Sequence, residues 1–451
     1  MNRMQSVPAG TKSVPDRSRQ RFPVLLGVLL SLVVASAGCG RRTELPGDRK
    51  LVVIGFDGAD WAQVAPLVAA GRMPVMKGFL AQSTSGTNMS FTPLRESPVI
   101  WASMATGLEP GEHGIVGFVD KTNAKPGANQ RWLAPAFWDL AGAMGKTSCV
   151  IGWWLTYPAR TIEGVMVSDV YSYTKQGYRD EAGLVRPDDL REDLAALEID
   201  YRDITREELG RFIDLESLSG HEDELENLVR ELRVIIAGDR TYLAMAKHLA
   251  ARDDFDVFSV YFRGLDMACH KFWGYYQPEM NNLAPDSASI AVFARVIPNY
   301  YVYSDEILGE MLALFPADRS VMLLSDHGFK GKAKVDGVWL GGLQAHRPEG
   351  VFAARSPVHE AGLRFDSTEI INVGPTILAL MGLPASDEMP GVVIGEGLTP
   401  AGLRYVERLE DNRVESYRVF MPALGDSTAL EEDAEMDEAV IRQLRSLGYI
   451  D

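Results

Sequence analysis

Three apolar runs, each closing on an acidic residue near a glycine, constrain this chain more than any other feature. Residues 51–56 read Leu-Val-Val-Ile-Gly-Phe and stop at Asp57-Gly58. The stretch 256–262 stops at Arg263-Gly264-Leu265-Asp266, and 320–324 stops at Ser325-Asp326-His327-Gly328. Runs this short and this continuously apolar predict strands buried on both faces. Helical patterns lie between them, at 137–144, 242–251 and 301–315. Strands alternating with helices imply an α/β fold with a mostly parallel central sheet flanked by helices. Ligands of open sheets bind beyond the carboxyl ends of the strands. The three acidic strand ends are therefore expected to converge on one site.

Metal-ligand residue types collect at those ends. Asp57 follows the first strand. Asp266 and His270 are four apart, so one helical turn places both on one face. Asp326 and His327 are adjacent at the third strand end, and His346 sits in the glycine-rich loop 341–346. Three of the chain's seven histidines fall in these settings. Mixed Asp and His ligands suit Zn²⁺, with Mn²⁺ or Fe as alternatives. This set is about what two divalent ions need, with positions left open for a substrate and a nucleophile.

Charge narrows the partners. With 45 Lys and Arg against 62 Asp and Glu, the net charge of -17 argues against nucleic-acid binding, which needs a basic face. Anionic substrates stay open, because bound cations reverse a local field. Cys39, Cys149 and Cys269 are too few for a disulfide framework. Cys149 reads as core, and Cys269 as packing behind Asp266 and His270.

Residues 1–39 read as a signal peptide. They have a basic start, an apolar stretch at 22–37 and the tail Ser36-Ala37-Gly38-Cys39. That tail resembles a bacterial lipobox, with Ser36 in the usual place of Leu. It implies export to the cell envelope, periplasm or outer membrane, with a lipid anchor on Cys39. A linker at 40–50 follows. The catalytic domain is expected at 51–173 and 237–400, interrupted by a helical insertion at 174–236. The capping patterns Thr205-x-x-Glu208 and Ser219-x-x-Glu222 mark helix starts in that insertion, which is either a lid or a passive decoration. An acidic tail at 401–451 ends in a short helix at 436–447.

Several blocks in order resemble the alkaline phosphatase superfamily, in its type I phosphodiesterase/nucleotide pyrophosphatase branch. They are Ile54-Gly55-Phe56-Asp57-Gly58, Glu96-Ser97-Pro98-Val99-Ile100-Trp101, Ala105-Thr106-Gly107 and His113-Gly114-Ile115. Asp266-x-x-x-His270, Ser325-Asp326-His327-Gly328 and His346-Arg347-Pro348-Glu349-Gly350 follow, then Pro375-Thr376-Ile377-Leu378 and Gly382-Leu383-Pro384. The resemblance implies that Asp57, Asp326 and His327 hold one zinc and that Asp266, His270 and His346 hold the other. It implies Ser97 as a metal-activated nucleophile that forms a phospho-enzyme. From the residues alone, Ser97-Pro98 also reads as a helix start, with Ser97 as cap.

The chain departs from the family in two ways. The Asn that holds a non-bridging oxygen in nucleotide pyrophosphatases has no clear counterpart, although Asn123 and Asn129 follow Phe118 and Arg95 offers a positive charge. The Cys-or-Ser-x-Pro-x-Arg signature of sulfatases is absent. The expected activity is hydrolysis of small-molecule, lipid or glycan phosphate esters, either phosphodiesters or phosphonate monoesters. The alternatives are phospho-group transfer to lipid head groups or glycans, and a non-catalytic, metal-stabilised surface lipoprotein.

Overall fold

The three acid-terminated runs are neighbouring strands of one nine-stranded sheet. The structure is a computed structural model that describes residues 50–120, 125–126, 132–172, 183–280, 285–331, 333–335, 338–340 and 342–420. The expected signal segment with Cys39, the helix at 436–447, and Asn123 and Asn129 lie outside the described residues. The sheet strands are β1 (Leu51–Phe56), β2 (Thr84–Met89), β3 (Ser148–Ile151), β4 (Gly164–Val167) and β5 (Val185–Arg186), then β6 (Val257–Phe262), β7 (Ser320–Leu324), β8 (Glu349–Arg355) and β9 (Arg364–Glu369). Their spatial order is β9-β2-β8-β7-β1-β6-β3-β4-β5. The block β7-β1-β6-β3-β4 is parallel throughout, while β8 and β5 pair antiparallel to their neighbours. The expected mostly parallel α/β sheet is what the chain forms.

Register does the positioning. Leu51 pairs with both Val257 and Ser320, and Phe56 pairs with Phe262, so β1, β6 and β7 end nearly level. Every residue of these three strands is buried, as expected of parallel strands covered on both faces. The exposed edge strand β9 carries Arg364, Asp366 and Glu369, charges that discourage edge-to-edge pairing.

The helices that matter for the site are α1 (Trp61–Ala69), α2 (Ser97–Thr106), α3 (Phe137–Ala143), α4 (Glu222–Arg252), α5 (Gly264–Tyr276), α6 (Val296–Ala313) and α7 (Val373–Met381). All ten residues of α2 are buried. It lies directly on β1, where a Cβ on Gly55 would stand 2.5 Å from the Trp101 ring. Gly107 closes α2 in the left-handed conformation at φ 71°, which costs glycine nothing. Gly374 of α7 packs against Gly107 so closely that a side chain there would strike its backbone.

The structure corrects the expected boundary at 236/237. Helix α4 runs unbroken through it for 31 residues, and β5 joins the main sheet from within the expected insertion. The apolar positions Leu225, Leu232, Ile235, Ile236, Tyr242, Met245 and Leu249 are one buried stripe, with no cap or breaker at 236 to end the helix. Ser97 is corrected as well. It is the first residue of α2, and Glu96 is the cap residue, so the serine hydroxyl is not spent on capping.

His113 braces α2. Its Nδ1 accepts the Ile115 N–H at 3.1 Å, which leaves Nε2 to carry the proton and meet Ser103 Oγ at 2.9 Å. Burial pushes this ring down to about 3. The unfolded chain, at about 6.5, therefore binds a proton that the folded one refuses, and stability falls as pH drops below about 6.5. Urea midpoints at pH 7 and pH 5 are expected to show His113→Asn losing about 2 kcal/mol less than the parent on acidification. Equal losses in the two proteins would show that His113 does not titrate this way.

Candidate metal centre

The strand ends bring all seven expected site residues together. Asp57 follows β1, Asp266 and His270 lie on the first turns of α5 after β6, and Asp326 and His327 follow β7. His346 arrives from a short ladder in which His346–Arg347 pairs antiparallel with Gly328–Phe329. Gly58, at φ 70°, allows the β1 turn to press onto α5, since a Cβ there would stand 3.0 Å from Asp266 Cβ and Oδ1.

One nitrogen is the focus of the first cluster. His327 Nε2 lies 3.2 Å from Ser97 Oγ, 3.3 Å from Asp57 Oδ1 and 3.4 Å from Asp326 Oδ2. In the second cluster, His270 Nε2 lies 2.9 Å from His346 Nε2 and 3.3 Å from Asp266 Oδ2, and His346 Nε2 lies 3.5 Å from Asp266 Oδ1. The His327 and His346 rings stack with centroids 3.8 Å apart, so the clusters adjoin. Single ligand atoms from Asp266, His270 and His346 lie within 4.8 Å of one another, and so do those from Asp57, Asp266 and His327. Asp266 thus faces both clusters, where sequence reasoning placed it in one.

Asp57, Asp266, Asp326 and His327 are all 0% exposed. Burying three carboxylates together is costly unless a cation compensates. The strain shows in their titration. Burial and the adjacent Asp57 hold Asp326 well above the carboxylate range. Burial also pushes Asp57 up, but the adjacent His327 ring and the Tyr261 hydroxyl outweigh it and hold Asp57 low. His327 rises to about 10 against the effect of its own burial, because Asp326 and Asp57 flank it. Among the described residues, Asp57 Oδ1, both oxygens of Asp266, Asp326 Oδ2 and His346 Nδ1 are buried without a hydrogen-bond partner. Buried polar atoms are seldom left so. Mixed carboxylate and imidazole donors, pointed at one another and otherwise unsatisfied, fit divalent cations.

Other residues near these strand ends have partners of their own. Cys269 is buried, and burial raises its thiol well above the ordinary range, as suits packing behind the ligands. Trp153 donates its indole N–H to Ser259 Oγ at 2.5 Å and is core. Trp154 lies under the Arg263 guanidinium at 4.1 Å, and Arg263 also bonds the Asp169 carbonyl. Lys271 pairs with Glu231 of α4 at 3.3 Å. Arg95 is exposed. Phe118 packs edge-on against Trp154 and donates its backbone N–H to Glu96 Oε2 at 2.6 Å, which ties this loop to the residue before Ser97. Sequence reasoning missed Tyr261, whose hydroxyl bonds Asp57 Oδ2. It also missed Asp60, which caps α1 and reaches across to the Phe329 N–H at 3.2 Å and to Arg347 Nε at 3.3 Å. A strand tyrosine and a helix-capping aspartate are ordinary in sequence, and only the fold points them here.

Residues 51–342 match the family described as type I phosphodiesterase / nucleotide pyrophosphatase. The chain belongs to that family. As a type I phosphodiesterase family member it is a phosphoric ester hydrolase of the alkaline phosphatase superfamily, and the matched span contains every expected site residue except His346. Similar solved structures include human ectonucleotide pyrophosphatase / phosphodiesterase 5, 12% identical with a TM-score of 0.44 over 76% of this chain and 97% of that chain. Another is the murine protein of the same name, inactive and in complex with AMP, 11% identical with a TM-score of 0.41 over 79% and 99%. No curated protein matches the chain.

Proposed function

We propose that this phosphodiesterase family member is a two-metal hydrolase of phosphodiesters or phosphonate monoesters that works through a phosphorylated Ser97. One observation carries the reading. A buried serine hydroxyl at a helix N-terminus shares the His327 nitrogen with two carboxylate oxygens from separate strand ends. Asp57, Asp326 and His327 would hold one ion and His270 and His346 the other, with Asp266 facing both. Zn²⁺ suits this donor set best, with Mn²⁺ or Fe as alternatives. Bound ions would stabilise charge on the phosphoryl oxygens and favour ionisation of a hydroxyl or water that they touch.

The chain's own residues do the rest. Ser97 Oγ attacks phosphorus in line, and the new O–P bond forms as the ester bond to the leaving alcohol breaks. Water then cleaves the Ser97 ester and restores the hydroxyl. The N-terminus of α2 favours the anionic phosphoryl group. Tyr261 orients Asp57 through its hydrogen bond. The signal-like residues 1–39 support an exported, envelope-anchored enzyme.

The test is a chain beginning at Gly40, assayed against aryl phosphate monoester, diester, phosphonate and sulfate, with metal measured in the same preparation. The expected result is about two divalent ions per chain and turnover of the diester or the phosphonate, abolished by chelation and restored by Zn²⁺. Two ions without hydrolysis of any substrate would favour transfer to an alcohol acceptor. No bound metal would overturn the reading.

A further inference from the structure

Two adjacent tyrosines on α6 reach the two turns that carry Asp57 and Asp266. The Tyr301 hydroxyl donates to the Gly58 carbonyl at 3.3 Å and accepts the Asp60 N–H at 3.2 Å, clasping the turn directly after Asp57. The Tyr300 hydroxyl donates to Asp239 Oδ2 at 2.7 Å, and Asp239 Oδ1 accepts the Gly264 N–H at 3.1 Å, at the first residue of the helix that bears Asp266 and His270. Asp239 comes from α4, so three helices meet at this point. Gly264 allows the approach, since a side chain there would strike both Tyr300 Oη and Asp239 Oδ2. All three polar side chains are buried: Tyr300 0%, Tyr301 1% and Asp239 3% exposed.

Successive residues on a helix point about 100° apart. One helix can therefore brace two turns, provided those turns lie on either side of it. The turns at issue hold carboxylates that repel each other when no cation is bound, so something must oppose their separation. The hydrogen bonds just named do not end on a ligand atom. Each acts on backbone next to one, as outer groups do when they fix a metal ligand's orientation.

We propose that Tyr300 and Tyr301 are positioning residues that, with Asp239, hold the Asp57 and Asp266 turns at the separation a divalent ion requires. This inference rests on the two-metal reading of the site. It assigns the pair no contact with substrate. Burial holds the Tyr301 hydroxyl well above its ordinary range, so it remains the donor to the Gly58 carbonyl.

The experiment is Zn²⁺ affinity, measured by competition with a chromogenic chelator, on the chain beginning at Gly40 and on Tyr300→Phe, Tyr301→Phe and Tyr303→Phe. Phe keeps the ring and removes only the hydroxyl, so folding is expected to survive and is checked by circular dichroism. Tyr303 is the control. It lies on the same helix, is buried, and its hydroxyl has no hydrogen-bond partner among the described residues. Tyr300→Phe and Tyr301→Phe are expected to weaken Zn²⁺ binding about 10–100-fold, and Tyr303→Phe to leave it unchanged. Saturating Zn²⁺ should restore most of the turnover to both weakened variants without changing their circular dichroism, which separates restored metal binding from refolding of an unfolded fraction. Unchanged affinity in Tyr300→Phe and Tyr301→Phe, with tight binding by the parent, would overturn the inference alone. An equal loss in Tyr303→Phe would reduce the effect to general packing and overturn it as well. No Zn²⁺ binding by the parent would overturn the two-metal reading and this inference together.

Discussion

Ser97→Ala is expected to lower turnover on the order of 10⁴-fold or more while leaving metal content and folding intact. The side chain is 1% exposed and, among the described residues, its hydrogen bond goes to His327, which keeps Asp57 and Asp326 beside it after the change. The cavity left behind is a single oxygen, so the melting temperature should shift little. Glu96 rather than Ser97 occupies the cap position of α2, so the helix start survives as well. The measurement is kcat on an aryl diester alongside metal analysis and a thermal melt. Hydrolysis that persisted at a substantial fraction of the parent rate, with full metal content, would remove Ser97 as the nucleophile.

Asp266→Ala is expected to cost the most metal of any single substitution. Its two oxygens face different partners, Oδ2 toward His270 and Oδ1 toward His346, and it also falls within reach of Asp57 and His327. Loss of a shared ligand should bring the metal content below about one ion per chain and remove turnover with it. His346→Ala should empty only the second position. A melt in chelator separates ligation from packing. Without metal, Asp266 is a fully buried carboxylate whose oxygens lack hydrogen bonds among the described residues, and removing such a group relieves a desolvation cost. The metal-free variant should therefore melt at or above the metal-free parent. Full metal content in Asp266→Ala would sink the shared-ligand assignment, and a much lower melt in chelator would mark Asp266 as a packing residue.

These outcomes bear on how much of the site was legible in the chain itself. Parallel strands buried on both faces leave an uninterrupted apolar signature, so β1, β6 and β7 could be read directly. Their acidic ends followed from the rule that ligands lie beyond the carboxyl edge. The Asp266–His270 pair was legible because four residues make one helical turn. Ser97 was singled out by resemblance, and its local motif was ambiguous, since Ser-Pro also starts helices. Only the neighbouring chain decided that Glu96 takes the cap position of α2 and that Ser97 turns toward His327.

Other features had no local signal. The boundary expected at 236 fails because α4 continues its buried stripe into the core, and where a helix ends depends on what its face packs against. Asp239, Tyr300 and Tyr301 sit inside ordinary helical patterns. Their hydroxyl and carboxylate partners lie 25 to 243 residues away in the chain. The sequence by itself determined the sheet class, the acid-ended strands and the residue types able to hold a metal, because these depend on hydrophobic period and on donor chemistry at fixed local spacing. Tertiary structure alone decided that Asp266 faces both clusters and which backbone turns the tyrosines clasp. Strand register and helix packing set those distances, and both are properties of the assembled chain rather than of any segment.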